Sequence, residues 1–265
     1  MIKNLKLNKR LWLITAVLSL LVSLLGLTNQ NIYSQVVSQQ ILPGVVSQDL
    51  ITFIISILLI LFALKVKNKE TKLQIIALSF LAYIFYAYSI YVIEQLYNSF
   101  YLFYLLLASL SFWSIVVALA NYDKHYFEEL NLNKYLHYLT ITFLILIPLL
   151  FYILWASQLL PLMAAGEKQE FTFSIYILDL VFVLPAMLIT AIMLIKQKTL
   201  AYLMAPVLFF KAFSLLFSVA LGSFLRPLYN VNFNTEEASF YLTLSLIFLA
   251  LAVLNFQQLK IRKIN

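Results

Sequence analysis

The chain has 265 residues, of which 63% are hydrophobic and 11% charged, with a net charge of +7 and no cysteine. A soluble domain carries about 25% charged residues and must cover itself with polar surface, so this balance excludes an ordinary soluble fold. The missing cysteine excludes disulfides, thiol catalysis and thiolate metal sites. The positive charges lie in short stretches between apolar runs, which argues against a nucleic-acid surface.

Apolar runs long enough to cross a hydrocarbon core recur at residues 11–27, 49–66, 73–96, 99–120, 138–156, 173–195, 199–222 and 237–257. Each must be a helix, because a bare strand edge in lipid leaves backbone groups unpaired. No period-two alternation of a barrel is sustained. The expected architecture is therefore all-α, a polytopic bundle of eight transmembrane helices forming a single domain over residues 1–265.

The first run follows Lys3, Lys6, Lys9 and Arg10. A basic stretch before an apolar run also describes a signal peptide. The small-residue cleavage pattern is weak, and an uncleaved first span is expected. Residues 28–48 carry Val-Val-Ser-Gln twice, at 36–39 and 45–48, around Leu42-Pro43-Gly44. They are too apolar for a plain solvated loop and suit an interfacial or re-entrant helix, or an ordered cap. Asp49 opens the second span and shares a face with Thr52 and Ser56. The third span sets Tyr83, Tyr86, Tyr91, Glu94 and Asn98 on one broad face. Asp123, Glu128 and Glu129 belong to a connection expected to be solvated, and His125 and His137 lie in or beside it. No histidine falls inside the bundle to ligate a haem. Residues 157–172 form a second long outer segment.

Asp179 lies within the sixth span, two turns before Pro185. Lys211 interrupts the seventh span about midway, with Ser214, Ser218 and Gly222 on its face. Pro148 and Pro206 are also internal to spans and remove helix hydrogen bonds. A lysine at mid-bilayer costs about 2.5–3.5 kcal/mol and usually faces protein or water with a partner. Asp179 is the expected partner, since a tight turn makes spans six and seven antiparallel neighbours.

Fifteen of the eighteen Lys and Arg residues fall on one side if eight spans alternate; Lys168 and Arg226 fall on the other. The positive-inside rule then places both termini in the cytoplasm, and a plasma membrane, bacterial, is the expected location. Asp49-Leu50 and Asp179-Leu180 occupy similar places in spans two and six, consistent with parallel repeats over residues 1–121 and 130–258.

No P-loop, His-Glu-x-x-His or Gly-x-Ser-x-Gly motif is present. No catalytic residue, metal site or cofactor is indicated. The expected ligand-binding residues are Asp49, Tyr83, Tyr86, Tyr91, Glu94, Asp179 and Lys211, gathered in an outward-facing polar pocket. Three acids with tyrosine walls suit a small polar or cationic ligand. The leading expectation is a small-molecule carrier or ligand-binding membrane protein. The alternatives are a non-catalytic subunit binding other membrane proteins, and an intramembrane enzyme using buried carboxylates.

Pro43-Gly44 before Gln48-Asp49, the tyrosine-rich third span, Asp179 before Pro185, and Ala201-Tyr202 before Ala205-Pro206 and Lys211 together resemble an uncharacterised group of bacterial eight-span integral membrane proteins. That resemblance implies the eight-span arrangement and carries no activity.

Reporter fusions after residues 35, 98, 165 and 230 should report the outside, and fusions after 70, 128 and 265 the inside. An external C-terminus with an internal N-terminus would require an odd number of spans and overturn the count.

Overall fold

The computed structural model describes residues 2–67, 70–123, 127–169 and 172–263. Lys69, Lys124 and His125 of the sequence reading lie outside them. Among the described residues, eight helices are long and apolar enough to cross a membrane. They are α1 (Leu5–Thr28), α2 (Leu42–Lys65), α3 (Thr71–Ile93), α4 (Tyr101–Ala120), α5 (Lys134–Ala165), α6 (Phe173–Ile195), α7 (Thr199–Leu225) and α8 (Thr235–Gln258). The all-α eight-span bundle is thus the fold.

Local chemistry sets the helix ends. Asn4, Asn133 and Asn234 each accept a hydrogen bond from a first-turn N–H, those of Leu7, Tyr135 and Glu237, as N-cap residues do. Pro43 occupies the first turn of α2, where a missing N–H costs no helix bond. The helix therefore begins at Leu42 rather than at 49. The second Val-Val-Ser-Gln copy belongs to the span, and Asp49 sits about two turns inside it. At the other long segment, α5 continues through Pro161 to Ala165 and ends on Gly166 at φ +65°. That left-handed turn lets the Glu167 N–H reach back to the Leu162 carbonyl, the usual glycine stop. At 32 residues, α5 is about 48 Å long at helical rise, well beyond an apolar core of about 30 Å.

α6 changes register in its middle. Pro185 cannot donate to the carbonyl four residues back. Asp179–Val183 is wound as a π-turn, and the Leu184 N–H reaches the Asp179 carbonyl, five residues back. This wide turn lies where α6 presents Asp179 to the interior.

Polarity is arranged for lipid rather than water. Ser19, Ser56, Ser111, Ser114, Thr140 and Asn255 are buried, whereas Leu102, Trp113, Ile153 and Phe240 are exposed. α3 is the most enclosed span and α5 the least. α3 and α7 form the centre, with α2 and α6 beside them. In the first half, neighbours are α1–α2, α3–α4, α1–α4 and α2–α3; in the second, α5–α6, α7–α8, α5–α8 and α6–α7.

The connection expected to be solvated is partly a strand. Backbone of β1 (Phe127–Asn131) pairs antiparallel with β2 (Lys260–Lys263), after α8. Ile2 bridges to Tyr122, and Lys3 donates its N–H to the Asn121 carbonyl. The Lys9 ammonium caps the carbonyls of Leu64 and Val66, and that of Lys72 caps Gln257. Both termini and the basic connections therefore gather at one end of the bundle, which we call the basic end. Periodicity misses the strands because each is short and finds its partner only across the whole chain.

α2 and α7 approach closely at Gly222. A methyl at Gly222 would lie 3.0 Å from the Gly44 Cα and 3.0 Å from the Ser47 Oγ, while one at Gly44 would meet nothing within 4 Å. Ser47 also donates to the Ser218 carbonyl at 2.8 Å across this seam. Gly222→Ala should destabilise by about 1–3 kcal/mol, the usual cost of overpacking. Gly44→Ala should stay within about 0.5 kcal/mol. Thermal melts of both variants in detergent check the contrast, and equal melts would refute the close approach.

Candidate functional site

Lys211 stands on α7 about 18 Å from its start at helical rise, and is buried, with 5% of its surface exposed. Its expected partner does not touch it. Among the described residues, the ion pairs within 4.0 Å are Lys3–Asp123 and Arg226–Glu237. Instead the Lys211 Nζ lies over the Tyr86 ring, 3.4 Å from the centroid. The Tyr86 hydroxyl donates to Asp179 Oδ1 at 2.9 Å. Tyr86 thus stands between acid and base and joins α3, α6 and α7. The other Asp179 oxygen, Oδ2, accepts from the Trp155 indole at 3.2 Å, which brings in α5.

These contacts leave an asymmetry. Both Asp179 oxygens accept hydrogen bonds from protein. Among the described residues, the Lys211 ammonium has three N–H donors and no hydrogen-bond acceptor. Cation–π attraction is worth about 2 kcal/mol or more when desolvated. It offsets much of the lysine's insertion cost but leaves its directional donors unused.

The donors face a cavity of about 400 Å³, lined by Tyr86, Tyr91, Asp179 and Lys211 among others. Its remaining walls are mostly apolar: Ile147 and Phe151 of α5, Leu184 and Met187 of α6, Leu215 of α7 and Phe248 of α8. It extends from mid-bundle toward the end opposite the basic one, where Gln40, Arg226 and Glu237 line it. There the Arg226 guanidinium forks onto Glu237, at 2.6 and 3.1 Å.

The other expected residues lie outside this lining. Asp49 is 1% exposed and belongs to a second, packed cluster. Its Oδ2 accepts from the Tyr33 hydroxyl at 2.6 Å and its Oδ1 from that of Tyr91 at 3.3 Å. Tyr88 and Tyr104 stack behind them. A methyl at Gly26 would overlap the Asp49 carboxylate and lie 2.5 Å from the Tyr33 hydroxyl. Burial, then the neighbouring Tyr91 and Asp49, push the Tyr33 hydroxyl far above its ordinary pKa, so it remains a donor. Tyr83 donates to the Gln48 carbonyl at 3.1 Å and ties α3 to α2. Glu94 follows α3 and accepts the Ser174 N–H at 2.8 Å, so it caps the start of α6. The four ionisable groups therefore do not converge: Asp179 and Lys211 share the cavity, while Asp49 and Glu94 serve separate junctions.

Sequence reasoning missed Tyr33 and Trp155. Tyr33 lies in a segment without periodicity, and Trp155 stands where an interfacial tryptophan is ordinary. Among the described residues, no three His, Asp or Glu side chains are grouped so as to hold a metal ion. Compared with known proteins, the chain matches no family model, no curated protein and no solved structure.

Tyr86→Phe keeps the ring over Lys211 but removes a hydrogen bond to a carboxylate, and should cost about 1.5–3 kcal/mol. Tyr86→Leu also removes the cation–π contact and should cost about 2 kcal/mol more. Chemical or thermal unfolding in detergent would rank the two. If Phe and Leu are equally tolerated, the ring does not hold the lysine.

Proposed function

We propose that this protein is a ligand-binding membrane protein or carrier, working in a bacterial plasma membrane with both termini in the cytoplasm and its cavity toward the outside. Tyr86, Tyr91, Asp179 and Lys211 form the site in this reading, and Asp49, Tyr83 and Glu94 brace the helices around it. The observation that carries the proposal is the Lys211 ammonium, buried at the cavity wall with no hydrogen-bond acceptor among the described residues. A lysine serving only to fix helix register would be paired, because an unpaired buried charge is costly. An acceptor oxygen on a ligand supplies what the bundle withholds.

The pairing of Asp179 bears on the ligand's charge. With both its oxygens engaged by Tyr86 and Trp155, the acid offers less to a cation than the lysine offers to an acceptor. A ligand with an acceptor group and an apolar body suits the walls better than a compact cation. The outward orientation is supported by the cavity's extension away from the lysine-rich connections. The same reading takes residues 1–121 and 130–258 as parallel repeats. Matching neighbour relations in the two halves support this.

Purified protein in nanodiscs, melted against a panel of polar metabolites and amphiphiles, tests the reading. A true ligand at 100 times its Kd should stabilise by about 2.7 kcal/mol. Lys211→Met should weaken that ligand at least about tenfold, the value of a charge-assisted hydrogen bond. A subunit without a ligand predicts no stabilisation anywhere in the panel. A ligand indifferent to Lys211→Met would place the site elsewhere.

A further inference from the structure

Two sides of the cavity are built differently. At the end opposite the basic one, polar contacts draw the segments together. Arg226 forks onto Glu237 and joins the end of α7 to the start of α8. Gln39 donates to the Tyr229 carbonyl at 3.0 Å, and the Tyr229 hydroxyl donates to Gln30 at 3.0 Å. These tie the segment after α7 to the connection between α1 and α2.

The side between α5 and α8 has no such closure. Among the described residues, the hydrogen bonds between these helices are those of Thr140 with Asn255, near the basic end. Beyond that pin, α5 offers Ile147, Phe151 and Trp155 at successive turns, and α8 offers Phe248 and Tyr241. All five line the cavity. α5 is tied instead to α6, where Tyr176 donates to Gln158 at 2.8 Å and packs edge-on against Trp155. α8 is packed against α7. α5 and α8 are thus pinned to each other near one end, with an apolar seam between them beyond the pin.

We propose that the ligand is a single-chain lipid carboxylate from the bilayer, with its head on Lys211 and its tail leaving through the seam between α5 and α8. This rests on the reading of Lys211 as the ligand's anchor. One ammonium, with Asp179 close behind Tyr86, matches a monoanion; a phosphate dianion demands more donors than the wall provides. About 400 Å³ lies near the small end of the roughly 300–1,000 Å³ typical of ligand pockets, which fits one chain better than two. The tail meets aliphatic and aromatic side chains on both sides of the seam, where burial of each methylene is favourable.

The full chain, reconstituted in phosphatidylcholine vesicles, would be photolysed with palmitate bearing a terminal diazirine, and the adducts mapped by mass spectrometry. Adducts should fall on α5 and α8. Unlabelled palmitate should compete and dodecylamine should not. Lys211→Met should weaken the competition at least about tenfold, and Lys211→Arg should restore most of it. Adducts on residues 39–40 or 226–232 would overturn the lateral seam. Equal competition by dodecylamine would overturn the carboxylate. No palmitate adduct, together with a different ligand whose stabilisation still depends on Lys211, would sink this inference and leave the site standing. Palmitate adducts unaffected by either Lys211 variant would sink both.

Discussion

The arrangement around the cavity depends on one ring. Tyr86 presents its face to the Lys211 ammonium and its hydroxyl to Asp179. A direct ion pair would neutralise both charges and spend one of the lysine's donors on the acid. The intervening tyrosine satisfies the acid, holds the cation by its ring quadrupole and leaves the lysine's directional donors unspent. Three helices meet at this side chain, so the geometry of the site and the packing of the bundle's centre are the same fact. The π-turn over Asp179–Val183 lies at this point of α6, directly before Pro185, whose missing N–H removes a helix bond.

The two buried aspartates show what an environment decides. Asp49 and Asp179 occupy comparable places in α2 and α6, and each accepts from a tyrosine of α3. Around Asp49 the space is filled by Tyr33, with Gly26 allowing close approach. Around Asp179 the corresponding side is open to a cavity, with Trp155 at its edge. The same residue type therefore locks one half and borders a pocket in the other. The difference lies in the volume of its neighbours rather than in its own chemistry.

A membrane bundle also has to keep polar groups inward without a hydrophobic drive between helices. Ser19, Ser23, Ser56 and Asn255 answer this by bonding backbone carbonyls of their own helix or, for Ser19 with Ser56, a hydroxyl on the neighbouring helix. At Gly222 the side chain is absent altogether, which lets α2 and α7 approach. The looser contact of α5 with α8, pinned by Thr140 and Asn255, is the exception that leaves room for a cavity.

Composition and run length by themselves determined that this chain is an eight-helix membrane bundle, because lipid imposes a span length and a polarity that must appear residue by residue. They also singled out Lys211, Asp179 and Tyr86, since ionisable and tyrosine side chains stand out against an apolar background. Helix ends were less legible. The apolar run marks the second span from 49, yet α2 starts at Leu42 with Pro43 in its first turn, and it marks the fifth to 156, yet α5 runs through Pro161 to Ala165, because a proline's effect depends on its place in the helix. Only the tertiary structure decided that Tyr86 separates acid from base, that Tyr33 seals Asp49, and that Glu94 caps α6 rather than joining the cavity. Those outcomes turn on rotation about each helix axis and on a few ångströms of side-chain reach. In a sequence apolar on every face, periodicity carries almost no record of either.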